Sequence, residues 1–474
     1  MYNWRQPVLA FYDAHVTKNP IPGYIESLDA FHRLPIEQRR QIQLRRLTEL
    51  LRHAARHVPY YQDVLHDAMV VRNDKVDLSR FRQIPDLTRD LLRDAFEHLK
   101  SDDLGTRNWY RKTTGGSTGE PVVVLQDRSY DDIGRAVKDL HYEWAGRGSG
   151  EPLVSLWGSE RDILMGSEGW RNQLSGFIRN KTLLNSWNMS KSDLQRFLEV
   201  LHRVKPVVIE AYAESIYELA RYINETGARI NGVRSVISSA GTLYPFIRHE
   251  VEDAFKCPVL NRYGSREVGD IAAEKTSGSG LEVFSYVNFV EVVDENGNPC
   301  MPGEEGDVLV TSLTNYTMPL IRYRLGDRAI VGAATATPIH SVEQLQTVTG
   351  RILDALIRED GSTVPATFFM HFLSVVHNSG WVQKTQVVQE DYNRIRIKMI
   401  TTAPPPDHAL DEIRTSLQRV MGRNCRIEFA FVDDIPPSPS GKYRYTISHL
   451  PHSGSGASGD PVETGNTLEN CHKG

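Results

Sequence analysis

The sequence predicts an α/β protein with a large N-terminal domain, residues 1–350, and a small α+β C-terminal domain, residues 351–450. Short β-branched runs alternate with amphipathic helical segments from Trp109 to about residue 350, which indicates α/β layering around a largely parallel sheet. Near residue 350 the pattern changes to strand-like runs around a single helical segment. A chain of 474 residues is also too long for one compact core, so we expect more than one domain.

The first hundred residues are expected to form a helical arm that covers the main domain. A helical pattern extends over residues 38–55, and prolines at 59 and 85 interrupt the helical segments. Leucines recur at helical spacing and predict an apolar stripe: Leu44, Leu47, Leu50 and Leu51. The arginines of the same segment are interpreted as a solvated face: Arg39, Arg40, Arg45 and Arg46.

The main domain is expected to contain short buried strands. These are the runs Val122 to Leu125, Val207 to Glu210, Val233 to Ser239, Val259 to Leu260 and Val308 to Val310. Residues 193–204 and 212–226 between them have capping residues and apolar spacing typical of helices. Five aromatic residues are expected in the core, with the lining of a pocket as the alternative: Trp144, Trp157, Trp187, Tyr212 and Tyr244.

The C-terminal domain has a simpler pattern. Residues 385–388, 395–400 and 426–432 are strand-like, and residues 410–421 are helical, which predicts a compact α+β unit. The tail, residues 451–474, is rich in Gly and Ser and almost devoid of large apolar residues. We expect it to be disordered and dispensable.

The composition excludes several classes of protein. A net charge of −5 argues against a nucleic-acid partner, since Lys and Arg are not in excess. No apolar run approaches the ~20 residues of a membrane span, and the N-terminus does not resemble a signal peptide, so a cytoplasmic location without membrane contact is expected. The cysteines form no Cys-x-x-Cys pair, which argues against a structural zinc site or a disulfide framework: Cys257, Cys300, Cys425 and Cys471.

The segment from Lys112 to Pro121, Lys-Thr-Thr-Gly-Gly-Ser-Thr-Gly-Glu-Pro, is the densest cluster of small hydroxyl residues and glycines before a strand. Glycines permit turns that direct backbone N–H groups at one anion, and hydroxyl groups add donors. The pattern therefore predicts a phosphate-binding loop made of Thr114, Gly115, Gly116, Ser117, Thr118 and Gly119. No Gly-Lys-Ser/Thr follows, which disfavours a P-loop NTPase; an ordinary turn before the apolar run is the alternative.

Four further segments follow this loop in a fixed order. They are Asn-Arg-Tyr-Gly-Ser-Arg-Glu ending at Glu267, Ile-Arg-Tyr-Arg-Leu-Gly-Asp ending at Asp327, Gly-Arg-Ile-Leu-Asp ending at Asp354, and Pro-Ser-Gly-Lys ending at Lys442. The series resembles the acyl-adenylate-forming superfamily of acyl-CoA synthetases, luciferases and peptide-synthetase adenylation domains. Within it, the chain is most similar to the phenylacetate-CoA ligase branch, and especially to the capsular-polysaccharide-associated, CapK-like subgroup. The resemblance covers roughly residues 35 to 450.

This resemblance implies a fold and a reaction. The fold is a large N-terminal adenylation domain of α/β sheets and a small β-barrel, with a small mobile α+β lid at the C-terminus. The reaction joins a small-molecule carboxylic acid and ATP into acyl-AMP and pyrophosphate, with Mg²⁺ present, and then transfers the acyl group to CoA. Such chemistry needs donors for the leaving phosphates, a divalent metal, a contact to the nucleoside and a cation at the reacting centre.

The resemblance assigns nucleotide and metal contacts to the motif residues. The loop 114–119 would hold the β- and γ-phosphates. Glu267 would ligate Mg²⁺, since a carboxylate oxygen suits that ion. Tyr263 would place its ring beside the nucleotide, and Asp327 would accept both ribose hydroxyls. The remaining nucleotide contacts are assigned to Gly264, Ser265, Ala240 and Gly241.

Two basic residues complete the assigned catalytic set with Glu267. Arg351 would contact ribose or α-phosphate oxygens at the joint between the domains. Lys442 would contact the carboxylate and the α-phosphate during adenylation. Taken singly, each motif residue has a simpler interpretation, as a surface Glu, a Gly-Asp turn or a solvated Lys on a Gly/Pro loop.

The chain departs from the family pattern at three positions. Leu353 replaces the first Asp of the usual Gly-Arg-x-Asp-Asp hinge, although Asp354 is present, and this bears on the transfer step. Arg262 precedes Tyr263 where an acidic residue is more frequent, and Gly241 replaces a common Glu. Both changes bear on which acid is bound.

Two rival functions remain open from the sequence. In the first, the acyl group passes from acyl-AMP to an amine, such as an amino sugar, or to a carrier-protein thiol instead of CoA. In the second, the chain binds a nucleotide without catalysis; the lysine at 442 counts against this, because a protein that only binds does not need it. A homodimer is a possible assembly.

Overall fold

The computed structural model of the chain describes residues 4–13, 19–113, 122–157, 179–186, 191–333, 341–351, 356–360, 363–364, 369, 373, 381–406, 408–436 and 444–450. Its described α-helices are α1 (Arg5–Phe11), α2 (Ile21–Arg33), α3 (Ile36–His57), α4 (Pro59–Asp67), α5 (Arg89–Asp94), α6 (Arg128–Trp144), α7 (Lys191–Val204), α8 (Ala213–Thr226), α9 (Pro245–Phe255) and α10 (Ala409–Met421). Short 3₁₀ turns lie at Leu78–Gln83 and Leu104–Thr106.

The described strands of the N-terminal part are β1 (Val71–Arg72), β2 (Lys75–Val76), β3 (Trp109–Thr113), β4 (Val123–Asp127), β5 (Leu153–Leu156), β6 (Lys181–Leu184), β7 (Val208–Tyr212), β8 (Ser235–Ser239), β9 (Val259–Ser265), β10 (Gly269–Ala273), β11 (Leu281–Val283), β12 (Asn288–Val293), β13 (Glu305–Ser312), β14 (Tyr323–Val331) and β15 (Gln344–Arg351). Those that follow are β16 (Leu356–Ile357), β17 (Thr363–Val364), β18 (Val382–Asp391), β19 (Arg394–Thr401), β20 (Arg426–Phe431) and β21 (Thr446–Ser448).

One continuous sheet of eleven strands organises the N-terminal part, in the order β12-β13-β14-β15-β11-β10-β9-β8-β7-β5-β6. In this order, neighbouring strands from β6 to β9 pair in parallel. Neighbouring strands from β9 to the other edge of the sheet, at β12, pair antiparallel. The predicted α/β class is confirmed. Three of the five predicted apolar runs lie in the parallel strands β7, β8 and β9, whereas the runs at 122–125 and 308–310 fall in the antiparallel strands β4 and β13.

The parallel half is covered by helices on both faces, which explains why its strands are apolar throughout. Along β7, Ile209 packs with α7, α8 and α9 on one face, whereas Val208 packs with α6 on the other. Helix α6 begins where the Asp127 side chain accepts a hydrogen bond from the Tyr130 N–H at 2.9 Å. Helix α6 thus covers the face of the sheet on which Val208 and the other even-numbered residues of β7 lie.

The antiparallel half corresponds to the expected small β-barrel, but it is joined to the main sheet. Strands β12, β13, β14 and β15 pair consecutively, and β15 continues into β11. The Val342 N–H donates back to the Val290 carbonyl at 2.8 Å, which links the start of the fourth strand to the first. The barrel-like part is thus an extension of the central sheet and not a separate sheet.

The N-terminal helices are part of the main core, so the description of them as a covering arm is incomplete. Leu47, Leu50 and Leu51 of α3 are fully buried in the same apolar cluster as the strands β12 to β14. Leu44 packs at the edge of this cluster. The predicted leucine stripe of α3 therefore faces the core of the antiparallel half.

The interpretation of the α3 arginines as a solvated face is wrong for three of them: Arg39, Arg40 and Arg46. Arg39 Nη1 lies 2.9 Å from Glu282 Oε1, and the Arg46 guanidinium lies 4.1 Å from the ring centre of Tyr286. Arg40 Nε lies 4.0 Å from the buried carboxylate of Glu343. Arg45 is exposed as expected. The sequence of α3 alone could not show that its polar face meets acidic and aromatic side chains of the sheet.

The C-terminal part is a small sheet in the order β20-β19-β18-β21 with α10 packed against it. The predicted strands at 385–388, 395–400 and 426–432 and the predicted helix at 410–421 all occur, and their ends differ from the prediction by at most three residues. Ile413 and Leu417 of α10 pack with Ile395 and Ile397 of β19. The tail from residue 451 lies outside the described residues.

Candidate active site

A cavity of about 1040 Å³ opens at the carboxyl ends of the parallel strands, on the face covered by α6. The strand ends that line it contribute Trp157, Tyr212, Ser239, Ala240, Gly264 and Ser265. Open α/β sheets bind ligands at this edge, because loops there can converge without interrupting the sheet. The side wall is formed by α6 and by strand β3, which precedes the predicted phosphate loop.

A strained turn at the end of β8 belongs to this edge. Ala240 has a φ of +65°, which is unusual for a residue with a side chain, and the Gly241 N–H donates to the Ser239 carbonyl at 2.8 Å. Ala240 lines the cavity, whereas Gly241 is not among its lining residues. Tight turns of this type are held by the surrounding structure and concentrate at functional sites.

The hairpin between β9 and β10 carries the central motif. A side chain at Gly264 would come within 2.6 Å of the Gly269 carbonyl, so glycine is required for the close pairing of the two strands. Glu267 lies in the turn of this hairpin and is mostly buried. The amide of Gln126 donates to the Glu267 and Arg266 carbonyls at 3.2 and 3.3 Å, which fixes the turn against β4.

Tyr263 and Asp327 are brought together from distant parts of the chain. The Tyr263 hydroxyl donates to Asp327 Oδ2 at 2.8 Å. Both residues lie outside the lining of the cavity, because successive side chains of β9 point to opposite faces and Tyr263 faces away from α6. Asp327 was expected directly after a strand-like run, but it lies inside β14, so the interpretation as a simple Gly-Asp turn does not hold.

The strand β15 brings the joint between the domains to the same place. Arg351, its last residue, is the register partner of Asp327 on β14. A side chain at Gly350 would lie 3.5 Å from Thr242 Oγ1, so the loop after β8 also adjoins this strand end. The backbone of Arg351 is therefore next to Tyr263 and Asp327, and its side chain lies outside the described part of the structure.

Lys112 brings a partly buried cation to the cavity at the end of β3. It lines the cavity together with Asp131 and Asp270. Burial lowers the pKa of the Lys112 ammonium, while Asp131 and Asp270 favour its charged form. A cation directly before a Thr/Gly/Ser loop suits anionic oxygens.

Two cavity residues, Lys138 and Arg262, belong to a polar group that sequence reasoning did not assign, and three further members lie behind them. We call this group the inner cluster: Lys138, Tyr142, Ser155, Glu210 and Arg262. Glu210 is a buried carboxylate in the middle of an apolar strand. Burial opposes its ionisation, but Lys138 and Arg262 outweigh that effect and hold the pKa of Glu210 well below its usual value. A charged residue within the run Val-Val-Ile-Glu, together with the unusual Arg262, was the sequence signal for this cluster.

The assignment of all five aromatic residues to the core needs correction for two of them. Trp157 and Tyr212 line the cavity, with their ring centres 4.2 Å apart. Trp144 stacks on Phe284, and Tyr244 packs at the edge of the α7 to α9 core, as expected. Because Trp157 and Tyr212 directly follow buried strands, their sequence surroundings resemble those of core residues.

Several predicted site residues lie outside the described residues. These are the phosphate loop Thr114, Gly115, Gly116, Ser117, Thr118 and Gly119, the hinge residues Leu353 and Asp354, and Lys442. Trp187 is also outside them. Their assignments remain predictions.

No group of three or more His, Cys, Asp or Glu side chains that could hold a metal by themselves occurs in the described ranges. A Mg²⁺ ion at this site would therefore need further oxygens in addition to a protein carboxylate. This suits Mg²⁺ in phosphate chemistry, since it usually takes one or two carboxylates and completes its shell with phosphate and water oxygens. A single Glu267 carboxylate in a turn at the cavity fits that requirement.

The helices in the described part of the chain include none that combines the length and apolar character of a membrane span.

Sequence comparisons relate this chain to ligases along most of its length. It is 24% identical to the protein CapK of Staphylococcus aureus, covering 86% of this chain and 89% of that protein. It is 24% identical to the phenylacetate-coenzyme A ligase of Escherichia coli strain K12, covering 74% of this chain and 80% of the ligase. The corresponding ligase of Thermus thermophilus is 23% identical, covering 87% and 97%. The family model described as the CapK C-terminal domain matches residues 356–449.

Solved structures show the same fold. The crystal structure of 2-hydroxyisobutyryl-CoA ligase in the postadenylation state, in complex with 2-HIB-AMP, superposes with a TM-score of 0.66 over 88% of this chain and 90% of that one, at 19% identity. That structure and its thioesterification-state counterpart, with a TM-score of 0.54, share the large sheet and the small C-terminal domain. The chain is thus similar to CapK and to phenylacetate-coenzyme A ligases along most of its length, and it has the fold of an adenylate-forming ligase.

Proposed function

We propose that this protein activates a carboxylic acid with ATP through an acyl-AMP intermediate and then transfers the acyl group to the thiol of CoA. The observation that carries the proposal is the meeting of Tyr263 and Asp327 beside the cavity edge formed by Gly264, Ser265 and Glu267. Similarity to phenylacetate-CoA ligases supports the reaction class and the choice of CoA as acceptor.

In the first half-reaction, a carboxylate oxygen of the acid attacks the α-phosphorus of ATP, and the bond to the bridging oxygen of pyrophosphate breaks. The carboxylate of Asp327, oriented by Tyr263, accepts hydrogen bonds from the ribose hydroxyls. The loop 114–119, preceded by the partly buried Lys112, holds the leaving phosphates. Lys442 and Arg351 contact the oxygens of the reacting centre, where negative charge accumulates.

Glu267 is the residue that would hold Mg²⁺, which supplies charge neutralisation for the triphosphate when bound. Its position in the β9–β10 turn is fixed by the hydrogen bonds that Gln126 donates to the turn carbonyls. The backbone that carries this carboxylate is thus held at the cavity before the ligand binds.

In the second half-reaction, the sulfur of CoA attacks the acyl carbon of acyl-AMP, the C–O bond to phosphate breaks, and AMP leaves. The small domain must reorient about the joint at 351–355 for CoA to reach this carbon. Leu353, which replaces the usual Asp of the hinge motif, lies in that joint. The transfer of the acyl group to CoA is therefore the step that most needs a direct test.

A panel of carboxylic acids assayed for pyrophosphate release, with and without CoA, tests the proposal. We expect at least one acid to give ATP-dependent pyrophosphate release, and CoA to accelerate turnover and yield an acyl-CoA detectable by mass spectrometry. If CoA has no effect and an amide forms when an amine is offered, the activation step is retained and the CoA step is refuted. ATP binding without pyrophosphate release for any acid would indicate a non-catalytic protein.

A further inference from the structure

The inner cluster is not used by the activation chemistry, yet it faces the same cavity. Lys138 and Arg262 line the cavity on the side of α6 and β9, next to the aromatic pair Trp157 and Tyr212. The cluster lies on the opposite face of β9 from Tyr263, which contacts Asp327. Tyr263 and Asp327, which would hold the ribose, therefore lie on the other side of β9 from the inner cluster, and the part of the cavity beside the inner cluster is left for the acyl body of the acid.

Glu210 uses its full accepting capacity within the cluster. It accepts from the Tyr142 hydroxyl at 2.7 Å and from the Ser155 hydroxyl at 3.2 Å. Lys138 Nζ lies 2.8 Å from Glu210 Oε1, and Arg262 Nη2 donates to the same oxygen. A carboxylate has about four lone-pair positions, so Glu210 cannot satisfy further donors.

Arg262 retains donors that nothing in the described structure satisfies. Its side chain is only 2% exposed, and neither Nε nor Nη1 has a hydrogen-bond partner among the described residues. The nearest carboxylate to Nε is Asp270, at 3.7 Å, which is beyond hydrogen-bond distance. Buried donors without acceptors are costly, and a bound ligand oxygen would remove that cost.

The surroundings of Arg262 indicate what kind of oxygen fits. Two cations, Lys138 and Arg262, are matched locally by two carboxylates, Glu210 and Asp270. The charges around Arg262 are thus nearly balanced. This balance favours a ligand with a neutral hydroxyl or carbonyl group at this place over one with a second carboxylate.

The aromatic pair indicates the shape of the ligand. The rings of Trp157 and Tyr212 are tilted by 33° with centres 4.2 Å apart, and Lys138 Nζ lies 5.7 Å from the ring centre of Trp157. Such a wall favours a flat apolar body that stacks or makes edge contacts. The cation beside it lies within reach of a polar substituent on that body.

We propose that the cavity selects aromatic acids that carry a neutral oxygen substituent on the ring, and that this oxygen accepts hydrogen bonds from Arg262 and Lys138. This inference rests on the proposed function, because it names the acid class for the same site. An aromatic ring without an oxygen substituent would cover the guanidinium donors without accepting their hydrogen bonds. Sites that hydrogen-bond a substrate oxygen discriminate strongly against analogues that lack this oxygen.

Matched pairs of acids test this selection. Phenylacetate is compared with 3- and 4-hydroxyphenylacetate, benzoate with 3- and 4-hydroxybenzoate, and 4-carboxyphenylacetate represents a second carboxylate. The measured quantities are kcat/KM for pyrophosphate release and the shift in melting temperature caused by each acid without ATP. We expect a preference of at least about ten-fold for a hydroxylated member in one series.

The double variant Arg262→Met/Glu210→Gln removes one buried cation and one buried carboxylate together, and Lys138, which loses the Glu210 carboxylate, is partly exposed to solvent. We expect it to reduce the ratio of kcat/KM between the hydroxylated and the plain acid to less than about three-fold. The matched control is Arg248→Met/Glu274→Gln, since this pair, at 2.9 Å, lies in the same half of the protein but does not line the cavity. The control should keep the full ratio. Arg262→Lys, which keeps the charge but loses the planar donors, should give an intermediate ratio.

The outcomes separate this inference from the proposed function. Equal use of plain and hydroxylated acids, a preference that survives in the double variant, or a preference for the dicarboxylate overturns the inference and leaves acid activation in place. Hydroxylated acids that raise the melting temperature only when Arg262 is present, without pyrophosphate release, uphold the inference and refute the proposed function. Hydroxylated acids that give neither turnover nor a melting shift overturn the inference.

Discussion

The hydroxyl of Tyr263 donates a hydrogen bond to the carboxylate of Asp327 at 2.8 Å, although the two residues belong to strands β9 and β14 that are not neighbours in the sheet. This contact orients a buried carboxylate at the place where the last residue of β15, Arg351, is its register partner. Under the proposed function, Asp327 holds the ribose of ATP and Tyr263 holds Asp327. The contact therefore makes a quantitative prediction about nucleotide binding.

Tyr263→Phe should raise the KM for ATP by about three- to ten-fold, because one hydrogen bond that positions Asp327 contributes about 1 kcal/mol. Asp327→Asn should have a larger effect, since it also removes the charge that attracts two hydroxyl donors. Pyrophosphate release is measured against ATP concentration.

Tyr61→Phe is the matched control for this prediction. Its hydroxyl accepts a hydrogen bond from the Ile321 N–H at 3.1 Å within the core, away from the cavity. This variant should lower the melting temperature and leave the KM for ATP unchanged. If Tyr263→Phe behaves in the same way, the Tyr263 hydroxyl has only a structural role.

Glu267→Gln should increase the Mg²⁺ concentration required for half-maximal activity by on the order of ten-fold, because a neutral amide is a poorer ligand for a hard cation than a carboxylate. The measurement is a Mg²⁺ titration of pyrophosphate release at saturating ATP. Glu225→Gln, an exposed change on α8, serves as the control and should not alter the titration. An unchanged Mg²⁺ requirement in Glu267→Gln would place the metal elsewhere.

Lys442→Ala should reduce adenylation by roughly two to three orders of magnitude, comparable to the loss of one preorganised contact to a charged transition state. Thioester formation from chemically supplied acyl-AMP should be much less affected, since the lysine is assigned to the first half-reaction only. Lys398→Ala, on β19 of the same small domain, should change neither step. Equal losses in both steps for Lys442→Ala would contradict the assignment.

Glu282 links the N-terminal helices to the sheet and should control stability in acid. It lies 3.0 Å from His32 Nδ1, 2.9 Å from Arg39 Nη1 and 2.8 Å from Lys275 Nζ. Burial opposes its ionisation, but the contacts with His32 and Lys275 lower the pKa of Glu282 to about 2. A depressed pKa means that the stabilisation is present above the unfolded-state value, near pH 4.5, and is lost as the pH falls through about 2.

We therefore expect Glu282→Gln to lower the free energy of unfolding at pH 7 by about 2–3 kcal/mol and to flatten its pH dependence between pH 4.5 and 2. His32 faces Glu282, and burial lowers the pKa of its imidazole, so its protonation opposes folding as the pH falls below 6.5. Urea unfolding at several pH values measures the effect. Glu49→Gln, an exposed change on α3, should leave the curve unchanged. Parallel curves for Glu282→Gln and the wild-type protein would contradict this account.

Much of the fold could be predicted because it depends on local patterns. The apolar runs at Val208 and Val259 and the leucine spacing of α3 are properties of the segments themselves, and burial follows from them. Asp327 shows the limit of such reasoning, because a Gly-Asp pair is typical of a turn, yet here it lies within a nine-residue strand. The pairing of β14 with β13 and β15 decided the conformation, and those partners are distant in sequence.

Site residues could be predicted where they belong to a recognisable motif. They were missed where their role depends on contacts between elements that are distant in the sequence. Gly264 and Glu267 belong to a recognisable motif, and the structure places both at the cavity. Lys138 looks like a solvated helix residue, and Trp157 and Tyr212 look like core residues, because each follows the local pattern of its element. Their common position at the cavity becomes visible only when α6 packs over the ends of β5 and β7.

By itself, the amino-acid sequence determined the α/β class, the small C-terminal domain and the order of the motifs, because hydrophobic periodicity and glycine-dependent turns are local properties. Only the tertiary structure decided that the arginines of α3 meet Glu282 and Tyr286, that Tyr263 holds Asp327, and that Arg262 shares Glu210 with Lys138. These contacts join residues from separate strands and helices. Their distances depend on how whole elements pack, and no spacing along the chain encodes them.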